Sequence, residues 1–455
     1  MAYFFCRQPT QAASKVRQRI ARFRTAFWLA KHKPSVTTGA FTSATKPMPS
    51  SSNSAQPANP TALPQIHWLE ADQPRSARWR SERGLPPPTK VVLADDTLSA
   101  DSAYRLVCAG TSLLWRGDFQ NARQLLQALG RRVDQVPKRK RKQAATPIPM
   151  LDAFNQHRLA QSQRARLLGR LLIEFNPDYS VPLRRAPDVK VACSEAWGEP
   201  DLQSDNSVTS LRELLGVTSA HEWRRVGIEI PALGEAPHNS IHPHYGVYSP
   251  VRGEYIQLVA TAHLPKPLKG QDQLTAFDIG TGTGVLAAVL AQRGVGHVVA
   301  TELDARALAC AHDNITQLGL QKQVEVLQAD LFPAGRASLV VCNPPWLPAR
   351  PGAPIERAVY DEDSRMLKSF LAGLRAHLEP KGEGWLILSN LAEHLGLRSR
   401  DELLALFEAN GLRVISRVDA KPVHPKASDT TDALHHARSQ EVTSLWRLAD
   451  KAPNK

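Results

Sequence analysis

From about residue 240 onwards, short apolar segments alternate with helical patterns, and this alternation strongly constrains the fold of the 455-residue chain. Helical crossovers between consecutive strands make the strands parallel, and such doubly wound sheets bind ligands at the carboxyl ends of their strands. The predicted strands cover residues 274–279, 297–301, 324–328, 338–342, 384–389, 412–418 and 442–448, and the predicted helices cover 285–293, 305–318, 364–378 and 401–410. The fold class is therefore predicted to be α/β, with a doubly wound sheet.

The first predicted strand leads into a glycine-rich loop. Asp278 is followed by Gly280, Gly282 and Gly284, and a helical pattern begins at once. Glycines let the backbone turn tightly and approach a ligand without a Cβ clash. An NAD-binding loop would carry its third glycine at the sixth position, where this chain has Val285. The spacing therefore disfavours NAD.

A second motif lies about sixty residues further along, directly after the fourth predicted strand. It consists of Asn343, Pro344, Pro345 and Trp346. Consecutive prolines stiffen a loop and remove backbone donors. The motif therefore presents one polar amide beside an aromatic ring on a stiff turn.

The two motifs, in this order, resemble the class I S-adenosylmethionine (SAM)-dependent methyltransferases, in the branch with an Asn-Pro-Pro-aromatic motif that methylates planar nitrogens. The resemblance covers about 200 residues. It implies a seven-stranded Rossmann-like sheet with an antiparallel final strand, and SAM as the cofactor. In that family the asparagine oxygen and the first proline carbonyl accept the two N–H groups of the substrate nitrogen, which localises its lone pair toward the methyl group.

The resemblance assigns catalytic roles to Asn343, Pro344 and Trp346. Trp346 would stack on the flat substrate group, although the family more often has Tyr or Phe at this position. This chemistry requires no metal ion. The alternative is a proline-rich turn after a buried strand, with Trp346 packed in the core.

The cofactor pocket is assigned by the same resemblance. Asp278 and the three glycines would form its loop. Glu302 ends the second strand, where a carboxylate accepts both ribose hydroxyls, and Asp330 follows the third strand, where the family binds the adenine amino group. Residues 246–255 resemble a segment of glutamine methyltransferases that covers the cofactor.

The formal net charge of +14 is unevenly placed along the chain. Residues 1–69 hold nine basic residues and no acidic ones, residues 138–142 hold five more, and these two tracts account for the whole excess. Basic tracts attract phosphates and give salt-sensitive affinity for nucleic acids. The alternative is a solvated tail and linker.

The chain is predicted to have three parts. Residues 1–62 are Arg- and Ser-rich, and they form either a disordered or targeting segment or an extension ahead of the true start, for which Met48 is a candidate. Residues 63–235 are predicted to be a mostly helical accessory region with a basic linker at 137–149. Residues 236–450 are predicted to be the methyltransferase domain. Within the accessory region, helical patterns fall at 103–109, 118–129, 152–175 and 210–215, and a strand pattern at 225–230.

The expected location is the cytoplasm, or the mitochondrion or plastid if the basic amino terminus is a transit peptide. The five cysteines are scattered, which is typical of a reducing compartment. No apolar run approaches the roughly 18 residues of a membrane-spanning helix, so no membrane partner is expected.

Several substrates share the Asn-Pro-Pro-aromatic motif. The basic tracts and Trp346 favour the exocyclic amine of a nucleic-acid base, in RNA or DNA. The helical accessory region and residues 250–254 favour the alternative, a glutamine side chain of a translation release factor. A catalytically silent SAM-fold binding protein is the third interpretation. The main prediction is a SAM-dependent N-methyltransferase with a nucleic-acid substrate.

Overall fold

The computed structural model describes residues 64–135, 148–267, 272–423, 429–430 and 432–451. The predicted segment 1–62, the basic tract at 138–142 and most of the linker at 137–149 lie outside the described residues. The division into domains stays a prediction. In the described residues, two large sheets organise the fold.

The amino-terminal described region is built on a six-stranded sheet with the strand order β1-β2-β6-β5-β4-β3. Its strands are β1 (Gln65–Glu70), β2 (Gln73–Trp79), β3 (Val91–Ala94), β4 (Ser112–Trp115), β5 (Leu171–Phe175) and β6 (Ser207–Ser210). Its helices are α1 (Ala100–Cys108), α2 (Phe119–Val133), α3 (Met150–Leu168), α4 (Lys190–Trp197) and α5 (Leu211–Val226). Helical residues outnumber strand residues in this region, but the prediction did not include the sheet on which the helices pack.

The complete burial of β5 explains why the sequence did not predict this sheet. All five of its residues are buried, so the segment has no polar alternation that would mark a strand. Leu171, Ile173 and Phe175 face the helices, whereas Leu172 packs on the other face with Trp68 and Trp79. A continuous apolar run fits a helix and a buried strand equally well. The helix predicted at 152–175 was wrong over these last residues, since α3 ends at Leu168.

A short connection joins the two sheets. The helix α5 continues through Val226, so the strand predicted at 225–230 is reduced to β7 (Ile228–Glu229), which pairs with β8 (Ser240–Ile241). Gly227 has a φ of +77° and ends the helix. Helix α6 (Glu254–Thr261) then leads to the second sheet.

The second sheet has seven strands in the order β11-β10-β9-β12-β13-β15-β14. The first five strands in this order are parallel, and β15 runs antiparallel to both of its neighbours. The strands are β9 (Thr275–Ile279), β10 (His297–Glu302), β11 (Val324–Gln328), β12 (Ala337–Cys342), β13 (Leu378–Ser389), β14 (Leu412–Ala420) and β15 (Thr443–Asp450). This topology confirms the predicted seven-stranded sheet and its antiparallel final strand.

Helices cover both faces of this sheet. They are α7 (Val285–Gln292), α8 (Ala305–Gln317), α9 (Arg365–His377), the short α10 (Leu391–His394), α11 (Arg400–Ala409) and α12 (His435–Ser439). All four predicted helices are present within one or two residues of the predicted bounds. The strand order reverses between β9 and β12, and in doubly wound sheets such a reversal is where ligands bind.

Two features are absent from the described part of the chain. No helix there combines the length and the apolar character needed to cross a bilayer. No group of three or more His, Cys, Asp or Glu side chains there is arranged to hold a metal ion.

Candidate functional site

The register between β9 and β12 brings the two predicted motifs together. Cys342 pairs with Ile279, so the residues that follow, Asn343 and Gly280, leave neighbouring strands at the same edge of the sheet. On the other side of β9, Thr301 also pairs with Ile279, which places Glu302 at this edge. The predicted loop, the carboxylate and the amide therefore lie at one edge of the sheet, where the reversal of strand order forms the cleft typical of doubly wound sheets.

The glycine loop adopts a conformation that requires glycine. Gly280, Gly282 and Gly284 have φ values of +70°, +60° and +81°, a region that other residues rarely occupy. A Cβ at Gly282 would meet no atom within 4 Å, so the loop borders open space there. A Cβ at Gly280 would lie 2.6 Å from Met366 Cε, so this part of the loop packs closely against α9.

Asp278 supports the loop from within the core. Its side chain is almost completely buried, and Oδ2 accepts hydrogen bonds from the Thr281 hydroxyl at 2.6 Å and the Ala287 amide at 3.0 Å. Burial raises the pKa of Asp278 to about 6, although the two hydrogen bonds oppose this effect. These two hydrogen bonds connect Asp278 of β9 to the loop and to α7.

Glu302 lies at the end of β10 and is partly exposed. Its Oε2 accepts the Gly282 amide at 3.1 Å, while Oε1 accepts the amides of Leu303 and Asp304 at 2.8 and 3.0 Å. These bonds fix the carboxylate beside the glycine loop. Asp330 is exposed after β11, next to Leu331, which has a φ of +72°. The carboxylates at 302 and 330 therefore follow adjacent strands of the sheet.

Asn343 and Trp346 are joined by a direct hydrogen bond. The indole N–H of Trp346 donates to Asn343 Oδ1 over 2.9 Å, and both side chains are partly exposed. A carbonyl oxygen has two lone pairs, so the bond fixes the amide and leaves one acceptor position on it. Phe or Tyr at position 346 could not donate in this way, because neither has a ring N–H.

Arg252 lies over one face of the Trp346 indole. The sequence alone did not assign a role to this residue. Its guanidinium carbon lies 4.9 Å from the centroid of the Trp346 ring, within cation–π distance. The same guanidinium pairs with Glu254 at 2.5 Å and with the buried Glu441 at 3.0 Å. The only sequence signal for it was its place in the segment 246–255. Arg252 covers one face of Trp346, and the partly buried indole also packs against two of the hydrophobic clusters of the seven-stranded sheet.

The loop after Trp346 is held by the amino-terminal region. The backbone closes this loop, since the Leu347 amide donates to the Val359 carbonyl at 3.1 Å. Phe154 of α3 packs in the same buried cluster as Leu347. Arg158, one helical turn further along α3, donates to the carbonyl of Arg350. We call residues 347–361 the acceptor loop.

One turn of the amino-terminal region contacts both sides of the cleft. Glu82 pairs with Arg306, two residues after the Asp304 cap of α8, at 2.5 Å. The next residue, Arg83, donates to the carbonyl of Gly352 in the acceptor loop at 3.1 Å. The two anchors lie beyond β10 and β12, on either side of the strand that carries the glycine loop. The turn at 81–84 therefore bridges the cleft.

Comparison with known families finds a match to the part of the chain that contains this site. Residues 239–409 match the family model described as "Methyltransferase small domain". This segment therefore resembles a methyltransferase small domain. The matched range contains every site residue predicted from the sequence, and it excludes the six-stranded sheet.

Curated relatives of this segment include two kinds of N-methyltransferase. A release factor glutamine methyltransferase of Cereibacter sphaeroides is 32% identical over 161 residues, which are 31% of this chain and 54% of that protein. A tRNA1(Val) (adenine(37)-N6)-methyltransferase of Shewanella putrefaciens is 29% identical over 194 residues, 39% of this chain and 77% of that protein. The chain thus spans about half the length of the first relative.

Among solved structures, a geranyl diphosphate C-methyltransferase from Streptomyces coelicolor, in complex with S-adenosyl-L-homocysteine, aligns with a TM-score of 0.31. The alignment has 16% identity and covers 40% of this chain and 75% of the other. The assignment of the fold rests on the strand order of the seven-stranded sheet.

Proposed function

We propose that this chain transfers a methyl group from SAM to a planar nitrogen, the exocyclic amine of a nucleic-acid base. The observation that carries the proposal is the Asn343 amide, which lies beside the glycine loop with its oxygen fixed by the Trp346 indole at 2.9 Å. A fixed acceptor next to a stacking ring suits a flat group that carries two N–H donors. The Pro344 carbonyl is the second proposed acceptor.

The cleft fits SAM as the cofactor. Gly282 borders open space, so a ligand can approach the backbone there. Glu302 is held by three backbone amides and keeps further lone pairs for two ribose hydroxyls. Asp330 is exposed one strand further on, where it can accept from an adenine amino group. Asp278 contributes by supporting the loop, since its recorded hydrogen bonds go to Thr281 and Ala287.

The chain's own residues activate the substrate nitrogen. SAM, when bound, supplies an electrophilic methyl group on a positively charged sulfur. Asn343 Oδ1 and the Pro344 carbonyl accept the two N–H hydrogens, which turns the nitrogen lone pair out of conjugation with the ring. Trp346 holds the ring plane on the face that Arg252 does not cover. No general base is needed before methyl transfer, because the nitrogen loses its proton to solvent only after it has been methylated and has become positively charged.

A glutamine side chain is the second candidate substrate. It also presents a planar nitrogen with two N–H groups, and a release factor glutamine methyltransferase is among the relatives. The arrangement around Trp346 favours the base, because an aromatic ring gains more from stacking than a small amide does. The alignment covers 77% of a tRNA adenine methyltransferase but 54% of the release factor glutamine methyltransferase.

The test is methyl transfer from radiolabelled SAM into an extract of cells that lack this protein, followed by separate nuclease and protease digestion. We expect nuclease to release the label. Asn343→Ala should lower the transfer rate by about 100-fold or more, the usual loss for one fixed acceptor or donor at the reacting group, with unchanged SAM affinity. Asn410→Ala, at the far end of α11, is the matched control.

The other outcomes identify the alternatives. Label released only by protease would reject the nucleic-acid substrate in favour of the glutamine side chain. SAM binding without any transfer would favour a catalytically silent binding protein. Loss of both SAM binding and transfer in Asn343→Ala would reject the role given to Asn343.

A further inference from the structure

We propose that five arginines around the acceptor loop bind the backbone phosphates of the nucleic acid next to the methylated base. The proposal rests on the proposed function and specifies its substrate class. We call these residues the arginine rim: Arg83, Arg158, Arg212, Arg350 and Arg357. Within the described part of the chain, none of the five forms an ion pair with a carboxylate.

Two of the arginines belong to the acceptor loop itself. Arg350 and Arg357 are both exposed. Arg350 follows Trp346 by four residues, so their Cα atoms are at most about 14 Å apart. Arg357 precedes Val359, whose carbonyl accepts the Leu347 amide, so it also lies close to the start of the loop. Both charges are therefore near the ring on which the substrate base would stack.

Two more arginines reach the loop from the amino-terminal region. Arg83 donates through Nε and Nη2 to the Gly352 carbonyl, and Arg158 donates to the carbonyl of Arg350. The Arg158 guanidinium also lies 4.4 Å from the centroid of the Tyr360 ring. These contacts use only part of the five donors of each guanidinium. The remaining donors and the full positive charges stay available for an anion.

Arg212 is half-buried and lies at the base of the rim. The Glu82 amide donates to Glu213 Oε1 at 2.9 Å, which places residues 82–83 beside residues 212–213. Nε of Arg212 is shielded from solvent and has no hydrogen-bond partner among the described residues. Burial, followed by the charges of Arg164 and Arg83, lowers the pKa of Arg212, while the charges of Glu213 and Glu356 oppose this effect. A partly desolvated cation next to other cations is stabilised by a further anion.

The nearby acidic groups compensate the rim only in part. Glu356 accepts the Gly352 amide at 2.7 Å within the acceptor loop. Glu213 accepts the Glu82 amide, and burial raises the pKa of Glu213 to about 7, so it carries only part of its charge at neutral pH. The Glu82 carboxylate is paired with Arg306. Asp361, also in the acceptor loop, accepts the amides of Met366 and Leu367. In the acceptor loop, the turn at 81–84 and residues 212–213, three carboxylates are in no ion pair with a described residue, namely Glu356, Asp361 and the partly protonated Glu213, and the five guanidiniums outnumber them.

The arrangement suits phosphate more than other anions. Guanidinium groups bind phosphate oxygens in a bidentate manner, and several of them along one edge can follow a polymer backbone. Phosphate contacts fix the register of a strand, while the base is read elsewhere. Here the rim would hold the strand while Asn343 and Trp346 receive one base.

The test is the affinity for a fluorescein-labelled, single-stranded RNA of 20 nucleotides, measured by anisotropy over a range of salt concentrations. The variant Arg350→Gln/Arg357→Gln removes two exposed charges from the rim. The control Arg336→Gln/Arg413→Gln removes two exposed charges next to the amino-terminal ends of β12 and β14, at the opposite end of the sheet. Both variants lose the same net charge, and exposed positions should leave folding intact.

We expect the rim variant to bind at least tenfold more weakly than the control at about 0.1 M salt, because each lost phosphate contact removes about 0.7 from the slope of log affinity against log salt. Equal affinities and slopes for the two variants would overturn the proposal. Asn343→Ala should bind the RNA like the unmodified chain. Weak binding of the rim variant together with methylation of protein alone would leave the rim as an RNA-binding surface, but it would overturn both its place beside a methylated base and the proposed substrate.

Discussion

Trp346 differs from the aromatic residue that is usual in its motif, and its indole N–H gives this difference a chemical role. The hydrogen bond to Asn343 Oδ1 fixes the amide before any substrate is bound. The ion pairs of Arg252 fix the indole in turn. The chain thus positions its proposed acceptor through two successive contacts, and these can be tested separately from stacking.

Trp346→Phe should keep the stacking surface and lose the N–H donor. A single hydrogen bond contributes about 1 kcal/mol, so kcat should fall about five- to tenfold with little change in KM. Trp346→Ala should also raise KM, because stacking on a base is worth about 1–3 kcal/mol. Steady-state kinetics on the nucleic-acid substrate would measure both. An equal effect of the two substitutions on KM would contradict the positioning role.

Asp278→Asn should change how stability depends on pH. Burial raises the pKa of Asp278 from 3.8 to about 6, so its contribution to folding is fully present below about pH 4 and is lost as the pH rises through 6. The loss amounts to about 3 kcal/mol at 1.36 kcal/mol for each pKa unit. Asparagine keeps the acceptor oxygen without the charge.

The measurement is the free energy of unfolding in urea at several pH values. The difference between Asp278→Asn and the unmodified chain should grow in favour of the variant between pH 4 and pH 6.5. Comparing the two chains cancels the opposite pH dependence of other carboxylates, such as Glu70, whose pKa is lowered to about 2 by its hydrogen bond from Arg116. A constant difference would show that Asp278 does not titrate in this range.

At the scale of elements, the acceptor loop depends on a helix from the other sheet. Phe154 of α3 is 3% exposed and packs with Leu347. Phe154→Ala should lower kcat/KM for the nucleic acid by about tenfold or more, because the loop loses its support, while SAM affinity stays within about twofold. Phe154→Leu keeps most of the apolar volume and should lie in between.

The controls for this prediction separate support from folding. Thermal unfolding reports whether Phe154→Ala still folds, since a buried Phe→Ala change costs about 3–5 kcal/mol. If both variants keep full activity, the helix α3 does not support the loop. A parallel fall in SAM affinity would indicate general damage to the cleft.

Local patterns predicted the second sheet, but they missed the first. A helix that begins directly after the glycine loop separates the strands β9 and β10. Each of these elements could therefore be recognised from neighbouring residues. The strands β4 and β5 are buried on both faces, and their pairing depends on residues that are about sixty positions apart. Periodicity does not contain such pairings.

The same limit applies to the site. Asn343, Glu302 and the glycine loop belong to motifs with fixed spacing, and the structure places them along one edge of the sheet. The contacts of Arg252 with Glu441 and of Arg83 with Gly352 span 189 and 269 residues. These contacts depend on how whole elements pack together, so no local sequence pattern predicts them.

At the scale of the whole molecule, the excess positive charge lies outside the segment that contains the proposed site. Nine basic residues precede Met48, whereas the chain from Ser240 onwards is balanced. A shortened chain that begins at Met48 should bind RNA with a less steep salt dependence, because fewer counterions are released. Its methylated position should stay the same, since the site near Asn343 selects the base.

The comparison is between salt titrations of RNA binding and maps of methylated positions for the full and the shortened chain. An unchanged slope would identify the basic amino terminus as a solvated tail. A shift of the methylated position would show that the amino terminus takes part in choosing the base.

The turn at 81–84 connects the two halves of the molecule in a way that constrains how such chains can diverge. Glu82 and Arg83 are consecutive, yet they reach Arg306 and Gly352 on opposite sides of the cleft. Either contact could be replaced by another pair of side chains, but a single inserted or deleted residue would displace both at once. Homologous chains with this arrangement should therefore vary in the sequence of the turn while they conserve its length.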